Sequence, residues 1–187
     1  EFSMLHFDFF HEGQRSSAYI NYTFKGGLWS SSYMTVGLFF EFLKTFTVSK
    51  IFGEVSISQI RFFDIFLLYI NNFLTVFLAY QIAINQKFKS LYKILFFLFL
   101  NLAIIIFAYK NLNYRDFPIL LFLNLLLFSF NTKNKSNIAN FLIGTLSMFS
   151  MVWSIDKGSF LNITLVFLII FYLIRKEKQK VFSISLG

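Results

Sequence analysis

The densest run of side chains able to do chemistry is His6-Phe7-Asp8-Phe9-Phe10-His11-Glu12-Gly13-Gln14-Arg15. It offers two imidazoles, two carboxylates, an amide and a guanidinium in an otherwise apolar chain. A carboxylate held against phenylalanine rings is partly desolvated, which makes it a better base. The plainer reading is a polar loop that leaves a membrane and anchors itself with aromatics. His6, Asp8, His11 and Glu12 are all permissible metal ligands. Their spacing fits no closed zinc pattern, however, and the chain has neither H-E-x-x-H nor any cysteine. No protein-built metal site and no cofactor is therefore expected.

Two further polar runs interrupt the apolar sequence, Asn113-Tyr114-Arg115-Asp116 and Ser154-Ile155-Asp156-Lys157-Gly158. Each joins a cation to a carboxylate. Each also reads as an ordinary surface ion pair or turn. Arg61 and Asp64 are spaced for an i, i+3 pair. Asn71, Asn72, Gln81, Asn101 and Asn124 are placed to hydrogen-bond across helices. An ion-coupled carrier would need ionisable groups deep in its spans, and the apolar stretches carry none at their centres. Gly26-Gly27 lacks the spacing and the strand–loop–helix setting of a nucleotide loop.

The elements that must position these groups are helices. Hydrophobic residues make up 57% of the 187, charged residues only 14%, and mean hydropathy is +0.65. A soluble domain of this length could not hide so much apolar surface in one core. Apolar stretches run over roughly Phe62–Ile84, Leu91–Tyr109, Phe117–Phe130, Ile138–Trp153 and Phe160–Ile174. The expectation is an all-α, polytopic transmembrane bundle of about five helices, with the lipid bilayer as its surroundings. In Ser32–Gly53, Phe39, Phe42, Leu43 and Phe46 share one helical face while Glu41, Lys44 and Thr45 take the other. That pattern predicts an interfacial helix lying in the membrane plane.

Charge sets the topology. Lys87, Lys89 and Lys93, then Lys133 and Lys135, then Arg175, Lys176, Lys178 and Lys180 fall in alternate connections. The other connections hold Lys110, Arg115 and Lys157. The richer side is expected to be cytoplasmic, so residues 1–60 form an outer, periplasmic segment and residues 61–187 the membrane domain. The net charge of +8 is spread as such topology signals, not as one basic stripe, so no nucleic-acid partner is expected. With no Met at its start and no leader pattern, the chain reads as the interior of a longer protein with a helix ahead of Glu1.

Asp8-Phe9-Phe10-His11-Glu12-Gly13-Gln14, followed by Lys25-Gly26-Gly27-Leu28-Trp29-Ser30-Ser31-Ser32-Tyr33, resembles the first outer loop of GT-C-class membrane glycosyltransferases. The resemblance covers the leading 60 or so residues and the general topology. It implies an enzyme of the bacterial inner membrane that takes its sugar from a polyprenyl-phosphate-linked donor. It further implies Asp8 as the catalytic base, Glu12 as its substitute, and an amphipathic helix on the outer face. Arg15 and Arg115, with Lys157 behind them, would then face the departing phosphate, where an arginine can fork two oxygens. His11, Asp116 and Asp156 complete the substrate-facing set. The alternative is a non-catalytic polytopic protein, a transporter fragment or a membrane-complex subunit.

Overall fold

The computed structural model describes residues 9–27, 34, 36–53, 55–108, 113–131 and 136–187. Among these residues the protein is all-helical, with eight α-helices and no strand. We number them α1 (Phe9–Lys25), α2 (Lys44–Phe52), α3 (Ile57–Ile84), α4 (Ser90–Ala103), α5 (Phe117–Asn131), α6 (Ser136–Trp153), α7 (Ile155–Ile174) and α8 (Lys178–Leu186). A π-helical turn, Phe39–Leu43, runs directly into α2, and another, Ile104–Ala108, extends α4.

Each apolar stretch becomes a helix, with its ends set by local hydrogen bonds. α3 begins at Ile57, ahead of the hydrophobic run, because Ser56 and Gln59 form a reciprocal capping box. Asn113 and Asp116 form a second box around the 3-10 turn Tyr114–Asp116, which leads straight into α5. Pro118 sits buried in the first turn of α5, where a missing N–H costs no helical bond.

α3 and α7 are long and apolar enough to cross a membrane, while α4, α5 and α6 are apolar but shorter. Their large side chains point outward: Phe62, Tyr69 and Phe73 on α3, Leu91 and Phe99 on α4, and Phe160, Phe167 and Ile174 on α7 are all exposed. The α4 helix buries no residue at all.

Inside, Phe122, Ile143, Leu146, Leu161, Leu168, Tyr172 and Ile184 form one core that joins α5, α6, α7 and α8. Polar pairs tie the helices together. Gln81 donates to Asn124 Oδ1 at 2.8 Å and Asn124 donates to the Leu74 carbonyl at 3.0 Å, linking α3 to α5. Asn71 donates to the Asn113 carbonyl at 2.7 Å. These are the expected cross-helix bonds. Asn101 differs, since it donates to Phe97 in its own helix.

After α7 the chain turns back. Glu177 N–H donates to the Tyr172 carbonyl at 2.9 Å and Lys176 N–H to that of Leu173 at 3.0 Å, the two bonds of a Schellman stop. Lys176 takes the left-handed position at φ 59°, normally glycine's, at a cost of about 1 kcal/mol. The following α8 packs on α6, so closely that a Cβ on Gly144 would lie 2.2 Å from the Ile184 carbonyl oxygen.

Candidate functional site

Two of the polar runs of the sequence meet at one end of the bundle, where α3, α5 and α7 begin and α6 ends. Arg115 and Asp116 lie on the 3-10 turn before α5, and Asp156 and Lys157 on the first turn of α7. They pair crosswise. Arg115 Nη1 stands 3.9 Å from Asp156, and Lys157 Nζ stands 2.9 Å from Asp116. These pairs are half-exposed. Asp116 also accepts the Asn113 backbone N–H at 2.7 Å, and Ser154 donates to Asp156. Four of the residues singled out in the sequence are thus brought together, from runs some forty positions apart.

Beside them lies a buried group that the sequence reading placed differently. Lys44 donates to Asp64 at 2.7 Å, with the lysine side chain fully buried and the aspartate 10% exposed. Glu41, 3% exposed, accepts the backbone N–H groups of Val36 at 3.0 Å and Gly37 at 3.3 Å. The face formed by Glu41, Lys44 and Thr45 was expected to meet water or headgroups. Instead all three are buried. The reason is competition for polarity: a face carrying charge goes wherever its partner is, and Asp64 on α3 supplies one. The i, i+3 spacing that pointed Asp64 at Arg61 missed this long-range bond.

Aromatic rings fill the space between the two groups. Phe39 stacks on Trp153 at 3.8 Å, while Phe40 and Phe117 approach the same indole at 6.1 and 5.1 Å. The Arg115 guanidinium lies 5.6 Å from the Phe40 ring centre, within cation–π range. The backbone closes the joint. Ile155 N–H donates to the Val36 carbonyl at 2.8 Å, and Gly37, at φ 151°, leaves no room for a Cβ against Ser154. The π turn and α2 are therefore clamped over the ends of α3, α6 and α7.

A family-model scan and searches of curated proteins and solved structures all return no match to this chain.

The helix α1, which begins within the leading cluster, is docked at the same end. His11, Glu12 and Arg15 fall on α1; their side chains, like His6 and Asp8, lie outside the described residues. α1 docks on the π turn and α2 through Tyr19, whose hydroxyl is 2.7 Å from Ser49 Oγ, and through Tyr22, edge-on to Phe42 at 5.2 Å. Glu12 stands about two turns, or about 10 Å, ahead of Tyr19 along that helix. Lys110, Lys133 and Lys135 also lie outside the described residues. Among the described residues no three metal-ligating side chains converge.

The arrangement offers two cations, Arg115 and Lys157, at a half-exposed surface next to a rigid, aromatic, charge-paired floor. Such a surface can hold an anion, since a guanidinium bonds two oxygens and an ammonium adds a point charge. The Arg115 Nε is buried without a hydrogen-bond partner among the described residues, so a ligand at that surface would meet only the terminal guanidinium nitrogens. Paired Asp116 and Asp156 meanwhile orient the two cations.

Proposed function

We propose that this chain is part of a membrane glycosyltransferase that moves a sugar from a polyprenyl-phosphate donor onto an acceptor hydroxyl at the outer face of the membrane. On this reading α3 to α7 make about five crossings of the bacterial inner membrane, with residues 1–60 on the periplasmic side. The outward-facing apolar residues and the Lys/Arg asymmetry support the crossings. α5, with 15 residues, reaches about 22 Å, so its polar flanks must complete a hydrocarbon core of about 30 Å.

The observation that carries the reading is the meeting of Arg115, Asp116, Asp156 and Lys157 at the end where the helix bearing Glu12 is docked. In the reaction the acceptor oxygen attacks the anomeric carbon and the bond to the phosphate oxygen breaks. The phosphate leaves with the electron pair. Asp8, or Glu12 in its stead, takes the acceptor's proton, while Arg115 and Lys157, with Arg15, stabilise the phosphate charge. His11 completes the donor-facing surface. No cofactor takes part in this scheme.

A second reading has one observation in its favour. Arg115 and Lys157 are each already matched with a carboxylate, as in a clamp that only holds loops together. A non-catalytic membrane subunit would need nothing more.

The deciding experiment measures polyprenyl-phosphate-sugar turnover in membranes that contain the protein, wild type against Asp8→Asn. The enzyme reading expects transfer in the wild type and its loss in Asp8→Asn at equal protein level. Undiminished transfer removes Asp8 from the mechanism, and no wild-type transfer favours the subunit.

A further inference from the structure

The opposite end of the bundle carries charge of a different kind. Lys87, Lys89 and Lys93 follow α3, and Arg175, Lys176 and Lys178 follow α7; all but Lys93 are exposed. No carboxylate occurs between Asp64 and Asp116, and Glu177 alone follows Asp156. Glu177 is taken by Lys180 at 2.7 Å. Lys93 donates to the Ile84 carbonyl at 2.7 Å and Arg175 lies over the Phe171 ring, and among the described residues neither pairs with an acid.

Next to these cations the surface is apolar and open: Phe88 is 48% exposed, Tyr92 58% and Ile174 75%. We infer that this end binds anionic phospholipids, the phosphate against the lysines and arginine and the acyl chains against Phe88, Tyr92 and Ile174. A free phosphate would use the cations and leave the apolar flank unmatched, whereas a phospholipid meets both. Juxtamembrane clusters of this size attract anionic lipid.

Lys176 adds a second, independent observation. It occupies the left-handed Schellman position at φ 59°, where glycine would be cheaper. Strain kept at such a position points to a use for the side chain. The turn that strains Lys176 also holds Arg175 and Lys176 outside the helix, at the rim where α7 ends.

The inference rests on the membrane placement and is independent of sugar transfer. Its test is native mass spectrometry of the detergent-solubilised chain with phosphatidylglycerol or phosphatidylcholine of the same acyl composition. Wild type is expected to retain phosphatidylglycerol in preference. Lys176→Gly is expected to melt no lower than wild type, because it relieves the strain, and yet to lose about fivefold in phosphatidylglycerol affinity. A Lys87→Gln/Lys89→Gln variant should lose more. Equal retention of the two lipids, or an unchanged preference in both variants, overturns the inference. Carbonate extraction separates the other failure: a chain released from the membrane pellet sinks the membrane placement itself.

Discussion

The two ends of the helical bundle solve the problem of charge in apolar surroundings in opposite ways. At the end capped by the π turn and α2, Lys44 bonds Asp64, Arg115 meets Asp156 and Lys157 meets Asp116. At the other end Lys87, Lys89, Arg175 and Lys176 stand exposed, and among the described residues no carboxylate pairs with them. Internal pairing fixes geometry, because each charge is stable only where its partner is. Unmatched charge leaves its balance to whatever lies outside the protein. The first end is thus built to hold a defined arrangement, and the second to rest on an anionic surface.

The sharpest way to break this comparison is at the buried pair. Removing one member of a buried ion pair strands the other charge and costs about 3–5 kcal/mol, whereas replacing both by apolar groups is often near neutral. Asp64→Leu is therefore expected to cause the largest loss of stability in unfolding measurements in detergent. Lys44→Met/Asp64→Leu should recover most of that loss. If Asp64→Leu unfolded like wild type, the capped end would not be held by its charges.

A smaller effect tests how the bundle closes beneath the basic end. A methyl group on Gly144 would press to 2.2 Å from the Ile184 carbonyl. Ile184 belongs to the core shared by α5, α6 and α7. Backbone cannot yield as a flexible side chain does, so Gly144→Ala should cost about 1–3 kcal/mol. The loss should come with faster proteolysis after Glu177 as α8 lifts away. Unchanged cleavage there would mean that α8 is not held by this close approach.

How much of this was legible in the sequence follows from which interactions are local. Hydrophobic runs and caps act within one helix, so the helices over Phe62–Ile84 and Phe160–Ile174 could be read directly, with their starts moved ahead of the apolar run to Ile57, where Ser56 caps the helix, and to Ile155. The amphipathic pattern of residues 39–46 was equally plain. Periodicity, however, says that a polar face exists and not where it points. Its partner Asp64 lies 20 positions from Lys44, so only packing could reveal that the face turns inward. The meeting of Arg115, Asp116, Asp156 and Lys157 was legible in outline, since alternating helices bring both runs to one end. The crosswise pairing depends on the turn geometry at Asn113 and Ser154. The return of α8 was hidden because its signal, a lysine in a glycine position, runs against propensity.

The smallest expected effect on stability sharpens the contrast within the capped end itself. Lys157 and Asp116 are partly open to solvent, with side chains 33% and 17% exposed. Pairs of this kind contribute about 0.2–1 kcal/mol and weaken in salt. Lys157→Ala should therefore barely move the unfolding midpoint, and a double-mutant cycle with Asp116→Ala should return a coupling in that small range. Sugar transfer is a separate readout. If Lys157 serves the departing phosphate, its loss should slow turnover about a hundredfold or more, out of all proportion to the change in stability. A fall in turnover no larger than the loss of folded protein would instead make the pair a clamp. The charges at the capped end would then be structural throughout, as they already are at Lys44 and Asp64.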